Sequence, residues 1–173
     1  MAIVRRAALV LLASFAVANV QAHAQSAAPV DLAALRFLLG EWNAIDTSPG
    51  ERGGFAFSLG VQNRVMTRTN YAIYDARDGR PASRHDDLMV IYVENGTIKA
   101  DYFDSEQHVI RYVVQRRGDR EVTFVSEPDA SEPRYQLSYT AQPDGSLAGR
   151  FEIAAPGASE FKPYLSWTAR KRR

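Results

Sequence analysis

The chain has 173 residues, no cysteine, 46% hydrophobic content and a formal net charge of +1. That length suits one domain built on a single core. The lack of cysteine removes disulfides as a support, and the near-neutral charge leaves no electrostatic footprint for a nucleic-acid partner.

In chain order, Arg5 and Arg6 precede an apolar stretch from Ala7 to Val17, and Ala22-His23-Ala24 follows with small residues at both ends. This is the pattern of an export signal over residues 1–24, which predicts a periplasmic or secreted protein. Without a cysteine at the cut, a lipid-modified signal is excluded. The apolar stretch falls short of the roughly 20 residues that a spanning helix requires, and no later run approaches that length. Losing two arginines with the signal moves the formal charge to −1.

A linker over residues 25–30, with Ser26-Ala27-Ala28-Pro29, leads into one predicted domain, 31–173. Asp31 is placed to cap a short helix whose Leu32, Leu35, Leu38 and Leu39 share one side, with Gly40 ending it. From Trp42 onward the chain predicts about ten strands, short runs rich in Val, Ile, Thr, Phe and Tyr. Among them are "FAFSL", "VMTRTNYAIY", "DLMVIYV", "TIKADYF", "VIRYVVQ" and "YLSWTAR". Asn95-Gly96 is a strong signal for a two-residue hairpin, and Arg117-Gly118-Asp119 and Pro143-Asp144-Gly145 punctuate two others. The fold expected is an all-β, antiparallel up-and-down barrel, because a meander of this length curls to protect its edges. A sandwich is the alternative. A barrel of this size has room for one small ligand.

Gly40-Glu41-Trp42, after a short amphipathic helix, resembles the G-x-W start of the calycins, the group that holds lipocalins and fatty-acid-binding proteins. That resemblance implies a tryptophan covering the closed end of the barrel and packed against a basic residue of the last strand, for which Arg170 in "LSWTARKRR" stands ready. The order "GRPASRHDDLMVIY", "ADYFDSEQHVIRY" and "FEIA...FKPYLSWTAR" is also similar to a family of exported bacterial lipocalin-like domains, over nearly the whole mature chain. His85-Asp86 more distantly resembles the middle motif of haem-binding nitrobindin-like barrels. Their iron-ligating histidine is replaced here by Tyr164, so a haem would need a tyrosinate ligand with a cation beside it.

Catalytic signatures are missing: there is no G-x-S-x-G elbow and no H-E-x-x-H helix. The mature chain holds two histidines, His85 and His108. His85 and Asp87 share a strand face, and with Asp101 and His108 they are expected to form a hydrogen-bonded polar cluster rather than a metal centre. No catalytic residue and no cofactor is assigned. Ligand-binding candidates are Arg68 and Arg111, as internal guanidinium groups for an anionic head, and the tyrosines 92, 102, 135, 139 and 164, whose rings end in a polar tip. The function expected is an exported barrel holding a small, partly apolar ligand of lipid or fatty-acid type. The alternatives are a haem or metal protein using Tyr164 or His85 and His108, and an envelope protein whose barrel is filled.

Overall fold

The structure, a computed structural model, describes residues 31–129 and 131–172, so the export signal and the linker lie outside the described residues. Ten strands run in sequence: β1 (Gly40–Ile45), β2 (Glu51–Gly60), β3 (Val65–Tyr74), β4 (Ser83–Glu94), β5 (Thr97–Asp104), β6 (Val109–Arg116), β7 (Glu121–Ser126), β8 (Arg134–Ala141), β9 (Leu147–Ala154) and β10 (Lys162–Lys171). Each pairs antiparallel with its neighbours in sequence, and β1 pairs with β10 to close the ring. The predicted barrel is therefore the fold. Asn95 and Gly96 both take positive φ, 50° and 73°, as the tight β4–β5 turn demands.

The segment expected as a short helix winds as a 3-10 helix over Ala33–Leu38. Its bonds span three residues, from Leu35 N–H to the Leu32 carbonyl and from Leu39 N–H to that of Arg36, while Asp31 Oδ1 accepts the N–H of Ala33 at 2.9 Å. This plug seals one end. Leu35 and Leu38 are fully buried, and Trp42 donates its indole N–H to the Leu38 carbonyl at 2.7 Å. The cation over the Trp42 ring is Lys171, with Nζ 5.5 Å from the centroid, and not Arg170. Register explains the correction: Lys171 lies directly opposite Trp42 on the inward face, while Arg170 points out toward Asp144.

Alternation decides the interior. Met89 and Ile91 point inward on β4, with Tyr135, Leu137 and Tyr139 on β8 and Leu147 and Phe151 on β9. Phe57, Tyr112, Phe124 and Tyr139 pack edge to face, with centroids 5.5–6.4 Å apart. Met66, Met89, Ile91, Phe124 and Tyr139 have no accessible surface, so no water-sized void borders them. The depth of the barrel is filled by its own side chains.

Trp167 extends this packing from β10 by lying over Gly149, its partner on β9, and meeting Tyr139 edge-on at 5.9 Å. A methyl group at Gly149 would overlap the indole, with Nε1 only 2.6 Å away. Gly149→Ala is accordingly expected to destabilise the barrel by about 1–3 kcal/mol through overpacking. Urea unfolding should recover most of that loss when Trp167→Leu is added.

Candidate functional site

At the end opposite Trp42, no helix covers the barrel among the described residues. Strand β3 brings Arg68 and Asn70 there, β4 brings His85 and Asp87, and β5 brings Tyr102 and Asp104. Register sets Asn70 and Asp104 on either side of Asp87. The β5–β6 turn adds Glu106 and His108. Both carboxylate oxygens of Asp87 are engaged: Oδ1 takes a guanidinium N–H of Arg68, and Oδ2 accepts from Asn70 Nδ2 at 2.8 Å and faces His85 Nε2 at 3.2 Å. His85 Nδ1 lies 2.7 Å from Glu106 Oε2, so an unbroken polar path runs from the rim to the core.

Arg68 is the deepest member, 4% exposed. Its guanidinium sits 5.7 Å from the Phe55 ring and 5.9 Å from that of Tyr139, the environment of a cation held by π faces. Burial opposes the charge, and the Asp87 carboxylate paired with it helps to overcome that cost, keeping Arg68 above its ordinary range and protonated. Its Nε and the Tyr139 hydroxyl have no hydrogen-bond partner. Burial pushes the Tyr139 hydroxyl up to about 12 and raises Tyr112 and Tyr102 as well, so all three stay neutral.

Asp104 organises the rim. Its Oδ1 accepts the backbone N–H groups of Glu106 and His108 at 3.0 and 2.9 Å, which shapes the hairpin turn. Its Oδ2 lies 2.8 Å from His108 Nδ1 and accepts the Tyr102 hydroxyl at 3.3 Å. Burial works to raise this carboxyl, and the bonds from His108 and Glu106 overcome it, keeping Asp104 below the usual carboxylate range.

Across the mouth stands an aromatic shelf. Tyr135 and Phe151 stack at 5.9 Å with ring planes 7° apart, and Tyr164 meets Phe151 edge-on at 6.2 Å. Tyr164 falls where the β9–β10 register shifts between Pro163 and Leu165, and it is 66% exposed.

The structure thus brings Arg68, Tyr102, Tyr135, Tyr139 and Tyr164 into the interior or its mouth, with His85, Asp87 and His108. It does not bring Arg111, Tyr92 or Asp101. Arg111, expected as a second internal guanidinium, is exposed on the outer wall, in a cleft of about 240 Å³ with Tyr92, Asp101 and Glu127. There Tyr92 donates to Asp101 at 3.2 Å. Asp104 takes the place given to Asp101 because it shares the inward face with Tyr102; that parity was available in "ADYFD". A second outer cleft, of about 280 Å³, lies over β1–β4 between Trp42, Tyr71, Arg84 and Arg172.

The chain matches no protein-family model, and no curated protein matches it. The closed ten-strand antiparallel barrel is consistent with a calycin-like fold.

Removing the carboxylate of Asp87 would leave Arg68 as an unpaired charge in the core. Asp87→Ala is expected to cost about 3–5 kcal/mol, whereas Arg68→Met combined with Asp87→Leu should come within about 1 kcal/mol of the parent or exceed it. Guanidinium unfolding midpoints of the two variants check the contrast.

Proposed function

We propose that the protein is an exported binding barrel that takes a small amphipathic ligand at its open mouth. The apolar part of the ligand rests on Tyr135, Phe151 and Tyr164, and its polar head meets the cluster of His85, Asp87 and Tyr102. The observation that carries this reading is the position of the two surfaces, an aromatic shelf and a hydrogen-bonding cluster on opposite walls of the barrel end that, among the described residues, no helix plugs. The filled depth supports a ligand held near the rim rather than an acyl chain threaded along the axis. Export is supported by Arg5, Arg6, the apolar run and Ala22-His23-Ala24.

Charge selects the head group. Asp87, Asp104 and Glu106 face one fixed cation, Arg68, which Asp87 already pairs. A donor or amine head is therefore favoured over the carboxylate of a fatty acid. Nile red is the probe for this test, displaced by decylamine or by decanoate. Decylamine should displace it at lower concentration. Phe151→Ala and Tyr164→Ala should weaken probe binding about 5–10-fold, the scale of one aromatic contact, while Arg111→Ala leaves it unchanged. No probe binding, or equal affinity in all variants, sinks the proposal. A chain starting near Gln25 in the protein recovered outside the cytoplasm checks the export.

A further inference from the structure

His85, Asp104 and Glu106 each place one ligand-type atom so that all three lie within 4.8 Å of one another. We propose that these side chains hold a divalent transition-metal ion, of the zinc class, at the barrel rim. One imidazole and two carboxylates suit such an ion, and two carboxylates balance its charge. Ligand atoms about 2.0–2.2 Å from a shared zinc stand somewhat over 3 Å apart, and Glu106, now 2.7 Å from His85 Nδ1 with its side chain 49% exposed, is free to make way for the ion.

Two further features point to a cation rather than to a chance cluster of acids. The first is His85 itself. Nδ1 faces Glu106 at 2.7 Å and Nε2 faces Asp87 at 3.2 Å, and ionised carboxylates can only accept. With Nε2 turned to Asp87, Nδ1 is the ring nitrogen directed at Glu106 and the one available to an ion between them. The second is support behind the ligands. Asp87 is anchored by Arg68 and Asn70 and so holds the ring of His85, while backbone N–H groups of Glu106 and His108 occupy Asp104 Oδ1; its Oδ2, now shared by the exposed His108 ring and the Tyr102 hydroxyl, is the oxygen that would turn to the ion in exchange for His108. Histidine oriented by a carboxylate through its second nitrogen is the usual outer support of a metal ligand.

This site goes beyond the proposed binding function, and the amine preference stated there is that of the metal-free protein, since a bound divalent ion would offset the charges of Asp104 and Glu106. The test uses the untagged mature protein, stripped with chelator and titrated with ZnCl2 by calorimetry and with CoCl2 by visible absorption. One equivalent of zinc is expected, with cobalt bands of a nitrogen–oxygen site. Glu106→Gln and His85→Ala should each weaken zinc by more than about tenfold and alter the cobalt spectrum, while Arg111→Ala changes neither. Asp104→Asn also disturbs the hairpin turn, so the exposed Glu106 is the deciding position, with circular dichroism showing that its variant stays folded. No binding at millimolar zinc, or affinities and spectra unchanged in Glu106→Gln and His85→Ala, overturns the site.

Discussion

Pairing of β1 with β10 is the constraint on which the rest of the molecule depends. β1 is six residues long, yet it joins β2 on one side and β10 on the other, and those bonds turn an open meander into a ring without edges. Closure also fixes parity. In a ring every strand has one face inside, and a slip of one residue anywhere would send a whole set of core side chains outward and bring charged ones in. Trp42 sits on this seam strand. Its ring stacks on Phe55, its indole N–H holds the carbonyl of Leu38, and Lys171 covers it from the last strand. The seam and the plug are thus one piece of structure.

Inside the ring, polarity rises from one end to the other. Leu35, Leu38, Met66, Ile91 and Leu147 make the sealed half dry, and Arg68 with Asp87 marks the level at which charge begins. Beyond them the polar groups partner one another up to the rim. A buried ion pair of this kind is weak support for stability, since desolvating both groups costs several kcal/mol that their attraction only partly offsets. Its stronger effect is on position. Asp87 bonds three side chains from two strands, so the geometry of the mouth follows from how that single carboxylate is satisfied.

Much of this architecture was legible in the residues. The strand runs, the Asn95-Gly96 turn and the G-x-W start led to a ten-strand barrel with a tryptophan at its sealed end. Parity was legible only where polar and apolar residues alternate: "RYQLSYT" could be oriented, whereas "DLMVIYV" is apolar on both faces and left Met89 and Leu88 equivalent. Outward positions such as Leu88 and Phe103, 39% and 42% exposed, are why. The same limit separated Arg68 from Arg111. Both lie within strands, and only register against β4 and β5 tells that one meets Asp87 while the other meets solvent. Lys171 escaped for a related reason, since one residue of register exchanges it with Arg170. The rim cluster joins β4 to a turn some twenty residues on, a juxtaposition that no local spacing encodes.

Relative magnitudes decide how deep a ligand can reach. An acyl chain gains about 0.8 kcal/mol for each methylene taken from water. To pass from the mouth toward the sealed end it would have to displace Phe55 and Tyr139 from around Arg68 and separate Arg68 from Asp87. Breaking such a buried pair costs about 3–5 kcal/mol, and loss of a buried large aromatic contact costs a similar amount again. Roughly four to six methylenes would be consumed in offsetting the first term alone. At the rim no such opposition exists: Tyr164 and Phe151 already present partly exposed rings, and the half-exposed side chain of Glu106 can reorient at the surface. The gradient of polarity along the barrel therefore does more than stabilise the fold, because it confines the accessible chemistry to the level above Arg68, remote from Trp42 at the sealed end.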